Sequence, residues 1–390
     1  MKTKGKVCLG IVIFVLISLI IAKVIFTNIN CREFGSPETE KQDILGRRDF
    51  LLKKLMVSPE EVIAEMPSAV GPQFQGEWAL YSCSMLSAAL VNIANKYPEE
   101  KDTSLSAIDS LIKIVMSPEL RRYDAERWGE DPIETLEGNN SHISYLSHLA
   151  WMIGGYKSIG GGHQYDRLFD SLCSTMFRRL QSSENLSLKT YPGEYIYVPD
   201  VAVAYVALSY YSNLNKGRYQ DIIDSWCSLL GTECTDRETG FVPSFMPDCI
   251  CHNYLPIKGS YTALTCYYLT FINEQFAKEQ YEKLKENFLK KHPFVGFKEY
   301  YDKWRPLALD IDAGPIIFNL SPTGTAFGLG PVTFFGDEQI RKGILRTAEV
   351  AGTTVNKHGR HYKLANIALV GEAIALAMRT NWPRNLNPRD

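Results

Sequence analysis

The 390-residue chain has no excess of charge of either sign. Its 42 Lys and Arg residues nearly balance 44 Asp and Glu, for a net charge of -2. Without a basic face there is no electrostatic footprint for nucleic acid, and that partner class is set aside. No glycine-rich phosphate loop follows a strand: "SIGGGHQYD" reads as a helix-to-helix turn. No nucleophile elbow marks a Ser/His/Asp hydrolase. The nine cysteines do not form matched CxxC pairs, and neither Cys249-Ile250-Cys251-His252 nor His358-Gly359-Arg360-His361 has the spacing of a metal site, so no metal or other cofactor is expected. Asn-x-Ser sequons at Asn139, Asn185 and Asn319 form too short and permissive a pattern to weigh.

What the chain does have is a 45% apolar composition, enough for a large core, and helical periodicity almost throughout. Lys2, Lys4 and Lys6 precede a run from Val7 to Phe26 broken only by Gly10, Ser18 and Lys23. About twenty residues at 1.5 Å rise match a hydrocarbon core of roughly 30 Å. The expectation is an uncleaved single-pass anchor over 1–26, with a cytoplasmic N-terminus and the remainder periplasmic or extracellular. Residues 27–45 read as a polar linker, and 46–390 as one helical domain. Ser58-Pro59-Glu60-Glu61 is a capping box that opens a short helix.

From Glu77 onward helices come in unlike pairs. First members, starting near Glu77, Ser141, Asp200, Gly259, Asp312 and Ala365, are rich in Ala, Ser, Gly, Tyr and Leu and poor in charge. Second members, such as "GRYQDIIDSWCSLL" and "NEQFAKEQYEKLKENFLKK", are amphipathic. Charge-poor helices are buried and amphipathic ones cover them. The starts recur roughly every 55 to 65 residues, a helix-pair period. The expected architecture is all-α, an (α/α)6 toroid of six helical hairpins.

In a closed ring the starts of the inner helices converge on one face. Expected there as acid/base residues are His142, Tyr145, Asp200, Asp310 and Asp312, and as substrate-binding residues Glu77, Trp78, Glu194, Tyr197, His252, Lys258 and His361. Asp200 and Asp312 also sit where a helix N-cap would sit, and Ser141 can cap the helix that follows His142. His148 lies further along and reads as a packing histidine. Trp128, Tyr191 and Tyr195 add aromatic surface near the mouth.

Over residues 75–380 the segments "NNSHISYLSHLAWMIGGYKSIGGGHQYDRLFD", "TYPGEYIYVPDVAVAYVAL", "KGSYTALTCYYLTFINEQFAKEQY" and "DIDAGPIIFNLSPTGTAFGLG" resemble bacterial proteins carrying the linalool dehydratase/isomerase-like domain. The resemblance implies an (α/α)6 fold and cofactor-free acid/base dehydration and isomerisation of a terpene alcohol by Asp, His, Tyr and paired cysteines. His142 matches the histidine motif, while Cys173 and Cys249 or Cys251 are candidates without a matching motif. Two alternatives stand beside that lyase or isomerase reading. One is a glycoside hydrolase or other carbohydrate-active enzyme of the six-hairpin class, with two carboxylates flanking a sugar. The other is a non-catalytic envelope binding protein. A small molecule, sugar or terpenoid-like, is the expected partner, together with the membrane through the N-terminal helix.

Overall fold

Six charge-poor helices form an inner wall because their apolar and small side chains face neighbours on every side. The structure is a computed structural model describing residues 2–30, 36–67, 71–246, 256–303, 307–310 and 313–384, with the side chains of the first helix from 12 to 27. In chain order its helices are α1 (Lys2–Asn30), α2 (Pro37–Leu55), α3 (Pro59–Ala64), α4 (Pro72–Lys96), α5 (Lys101–Val115), α6 (Pro118–Trp128), α7 (Ile143–Ser158), α8 (Asp166–Gln181), α9 (Val198–Leu214), α10 (Gln220–Thr232), α11 (Gly259–Ile272), α12 (Glu274–Phe288), α13 (Pro322–Phe334), α14 (Glu338–Gly352) and α15 (Leu369–Arg379). The inner helices α4, α7, α9, α11, α13 and α15 pack each on the next, and α15 packs back on α4. The ring is closed. The amphipathic helices α5, α8, α10, α12, α14 and α2 lie against its outside.

Close approach within the wall depends on missing side chains. A Cβ on Gly154 of α7 would stand 2.7 Å from Tyr210 of α9, and one on Gly155 would stand 2.9 Å from Val91 of α4. Neither fits.

Connections differ sharply between the two ends. From inner to outer helix they are short, and Asn273 alone joins α11 to α12, its side chain accepting from the Phe276 N–H at 3.0 Å. From outer back to inner helix they are long and carry α3, α6 and four antiparallel two-stranded ribbons: β1 (Ile196–Tyr197) with β2 (Phe245–Met246), β3 (Leu289–Lys290) with β4 (Gly296–Phe297), β5 (Leu307–Asp310) with β6 (Gly314–Ile317), and β7 (Thr354–Val355) with β8 (His361–Tyr362). These connections build the face at the inner-helix N-termini. Loops on a rigid scaffold are where function concentrates.

Buried charges join the outer helix α2 to the last inner helix α15. Arg47 of α2 reaches Asp43 at 2.9 Å and Glu372 of α15 at 2.7 Å, and Asp43 also holds Arg360 and Arg379. Residues 37–45, read as linker, are therefore the opening turns of α2.

Other expectations are corrected here too. The fifth inner helix begins at Pro322, where Ser321 accepts from the Gly324 N–H at 3.0 Å, because Gly314-Pro315 turns the chain into a ribbon first. Asp310 consequently ends a strand, and Asp312 lies outside the described residues. Ala365 falls in a 3-10 turn ahead of α15.

The helix α1 forms over the apolar run, but its end lies along α14, with Lys23 donating to Thr353 at 2.6 Å and Thr27 buried. Among the described residues no helix is long and apolar enough to cross a membrane. That overturns the expected anchor and the single-pass placement drawn from it. Within α1, Lys23 is a charge docked on Thr353, and it interrupts the apolar stretch that a span would need.

Candidate active site

Two carboxyls meet at the mouth of the ring. Glu77 lies in the second turn of α4 and Asp200 in the first turn of α9, close enough that the charge of Asp200 disfavours ionisation of Glu77. Burial first, then that repulsion, pushes the Glu77 carboxyl up to about 8, against the opposing pull of Arg127 and the Tyr191 hydroxyl. Burial also raises Asp200, to about 6, although Thr190 donates to it at 2.7 Å and Tyr81 at 3.0 Å and both favour the charged form. Asp200 is no cap. Tyr197 occupies the N-cap position of α9, and the Asp200 side chain accepts from two side chains.

The short helix α6 supplies the cation. Arg127 lies over the Tyr191 ring at 3.6 Å and comes within 3.9 Å of Glu77 and 3.5 Å of Glu194. A guanidinium flat on an aromatic ring keeps its edge for carboxylates. Behind it the hydroxyls of Tyr123, Ser144 and Tyr191 form a chain at 3.3 and 3.2 Å.

One turn earlier on α6 is Asp124, fully buried, 2.5 Å from His142 Nδ1, while His142 Nε2 faces Glu130 at 3.3 Å. Burial raises the Asp124 carboxyl against the hydrogen bond to His142. His142 is fully buried, with φ +47°, and its ring stands 5.3 Å from that of Trp128. Tyr145 points elsewhere. Its hydroxyl donates to the Val115 carbonyl at 2.9 Å and its ring is fully buried, so it ties α7 to the end of α5 instead of facing a substrate.

A second polar group lies at the start of α11. Lys258 is 3.2 Å from Asp310, which accepts from Tyr300 at 2.9 Å and from the Ala313 N–H at 3.1 Å. Burial works against ionisation of Asp310, but these three donors hold its carboxyl below the usual range. The buried Glu299 accepts from the Ser260 hydroxyl at 2.8 Å and from the Ser260 N–H at 3.2 Å. Tyr197 packs on Phe245 and Tyr261 at 5.5 and 6.0 Å.

Of the remaining expected residues, Trp78 is half-buried against the core and Glu194 is exposed beside Arg127. His252 lies outside the described residues, as do Cys249 and Cys251. His361 is corrected: it is buried, stacked on Phe50 at 3.9 Å, with Nδ1 donating to the Gly359 carbonyl at 2.9 Å. It belongs to the seam between α2 and α15. Cys83, Cys173, Cys227 and Cys266 are buried with their thiols pushed up by burial, and Cys234 is disulfide-bonded. No group of His, Cys, Asp and Glu among the described residues could hold a metal ion. His148 packs as expected, bonded to Ser84 at 2.8 Å, and burial lowers its ring to about 3.

Tyr81, Thr190, Asp124 and Arg127 were not foreseen. Tyr81 carried a usable signal, since four residues after Glu77 it shares that helical face.

No family model and no curated protein sequence matches this chain. Its structure is similar to that of a family 105 glycoside hydrolase from C. acetobutylicum, with a TM-score of 0.54 at 10% identity over 76% of this chain and 92% of the other. At that identity the likeness speaks to the helical toroid fold and to nothing finer.

Proposed function

We propose that the mouth of the ring is the active site of a glycoside hydrolase in which Glu77 is the general acid and Asp200 the base or nucleophile. The observation that carries this reading is the carboxyl pair with separated proton affinities, Glu77 raised to about 8 and Asp200 to about 6. Near neutral pH one is protonated while the other is largely ionised, the division of labour that glycosidic cleavage needs. Glu77 would donate its proton to the leaving glycosidic oxygen. Asp200, its charge supported by Tyr81 and Thr190, would activate water or attack the anomeric carbon. Arg127 would hold Glu77 in place and limit the rise in its proton affinity.

The lyase or isomerase chemistry implied by the sequence resemblance would use the same pair on a terpenoid alcohol. Its cysteine requirement finds little support, because the free cysteines among the described residues are buried and strongly protonated. Turnover against glycoside and terpenoid panels tests the proposal. The expected result is release of reducing sugar, with Asp200→Asn and Glu77→Gln each folded and slower on the order of 100-fold or more. Dehydration of a terpene alcohol without sugar release would favour the second reading. Binding without turnover of either class would leave a carrier function.

A further inference from the structure

Beside the carboxyl pair the outer-to-inner connections enclose an open groove of about 330 Å³, at the lower end of the range of small-molecule sites. Its lining includes Trp128, Asn139, Asn140 and Ser141 from one connection and Asn185 and Lys189 from the next. Both stretches adjoin residues of the acid/base site along the chain. Ser141 is followed by His142, whose ring stands 5.3 Å from Trp128, and Lys189 is followed by Thr190, which donates to Asp200 at 2.7 Å. Most of the accessible lining is apolar, with Leu188 and Ile196 beside one indole, and most of its polar side chains are amides and hydroxyls. Its ionic groups, Lys189 and Glu184, are of opposite sign. The indole of Trp128 is only partly buried, so its ring offers surface to the groove.

We propose that this groove is a binding subsite for a neutral sugar unit, so that the substrate is an uncharged oligosaccharide reaching from the carboxyl pair into the groove. This rests on the glycoside hydrolase reading for its chemistry but stands on a separate surface. An indole with apolar, amide and hydroxyl neighbours suits a polyhydroxylated ring, whose apolar face stacks while its hydroxyls exchange hydrogen bonds. A single acid and a single base offer no preference for an anionic or a cationic ligand. Because the groove is open at the surface, it accommodates a unit that continues into a longer chain. The sugar bound there is remote from the cleaved bond and contributes to affinity and positioning.

The test compares Trp128→Ala with Trp128→Phe on neutral oligosaccharides of increasing length and on an aryl monoglycoside. In the wild type kcat/KM should rise with the added unit. Trp128→Ala should abolish that rise, a loss of about tenfold on the longer substrate, while Trp128→Phe restores most of it. On the aryl monoglycoside the loss in Trp128→Ala should be clearly smaller than on the longer substrate. Chain-length-independent turnover in the wild type, or an equal loss on short and long substrates, would overturn the subsite. Should no glycoside be cleaved, the catalytic reading fails, and oligosaccharide binding measured by titration calorimetry decides the groove. Saturable binding lost in Trp128→Ala but kept in Glu77→Gln sustains it, and absence of binding ends it. Asn140→Trp, which fills the groove without touching the carboxyl pair, gives the same readouts should Trp128→Ala fail to fold.

Discussion

Tyr81 Oη donates to Asp200 Oδ1 at 3.0 Å from the turn of α4 that follows Glu77. One helix thus carries the acid and a donor that tunes its partner on another. Tyr81→Phe removes a bond that favours the charged form, so the Asp200 carboxyl should rise further, by about one unit. The acid limb of the kcat/KM profile should move up by that amount while circular dichroism stays unchanged. An unmoved limb would mean that the bond does not bear on the reacting carboxylate.

The pair sets a pH window. Asp200 must be ionised, so activity should fall as pH drops through about 6, and Glu77 must be protonated, so it should fall again as pH rises through about 8. Glu77→Gln should remove the alkaline limb from whatever activity remains.

Stability has the opposite dependence at Glu77. Its folded carboxyl is raised above the ordinary 4.5, so its stabilising contribution is complete below that value and is lost as pH climbs through about 8. Glu77→Gln should therefore melt higher than the wild type at pH 8 to 9, by a few degrees, roughly what 1 kcal/mol or more gives a chain of this size. Melting temperatures that nearly coincide at pH 4 and diverge as pH rises, with the gap levelling off above about pH 8, are the expected pattern.

The seam between α2 and α15 gives a test away from the mouth. Asp43 is held by Arg47, Arg360 and Arg379, and despite its burial these guanidiniums keep its carboxyl far below the usual range. Asp43→Ala takes a shared carboxylate away from three guanidiniums, two of them buried, and should cost about 3–5 kcal/mol in denaturant unfolding. Because the folded value is depressed, the wild-type contribution is present above the ordinary carboxylate value of 3.8 and disappears as pH falls below it. The Asp43→Ala deficit should shrink in acid.

How much of this was legible in the sequence follows from which contacts are local. The alternation of "VPDVAVAYVALSYY" with "QDIIDSWCSLL" exposes inner and outer helices, since burial on all sides leaves a composition that burial on one side does not. The Ser58 capping box closes within four residues, and both of its hydrogen bonds form. Asp200 was found as a helix-start acid, yet its raised proton affinity comes from burial in the closed ring, and one of the donors that oppose it is Tyr81, 119 positions away. His361 looked like a mouth residue by its place before α15, but the stacking of Phe50 on it depends on how α2 closes the ring. Periodicity carries no information about that closure. The fifth inner helix was legible in retrospect, because Ser321-Pro322 is the stronger start signal than Asp312.

The last prediction concerns His142, whose two ring nitrogens both face carboxylates, Asp124 at 2.5 Å and Glu130 at 3.3 Å. With both nitrogens engaged and the ring buried, its reach is through Asp124. Asp124, Arg127 and Trp128 stand at positions i, i+3 and i+4 of α6 and share one face, so the grip on Asp124 sets the rotation that lays Arg127 on Tyr191 and beside Glu77. Losing that grip should let Arg127 drift. Arg127 lowers the Glu77 proton affinity, so in His142→Ala the alkaline limb should move upward, by about one unit, with turnover reduced less than in Asp200→Asn. Unfolding should be easier by about 1–3 kcal/mol, since Asp124 is left buried without its partner. The pH profile separates this from the alternative role. A limb that stays in place while turnover falls on the order of 100-fold would make His142 a proton carrier in its own right. A limb that moves would make it the residue that aims Arg127.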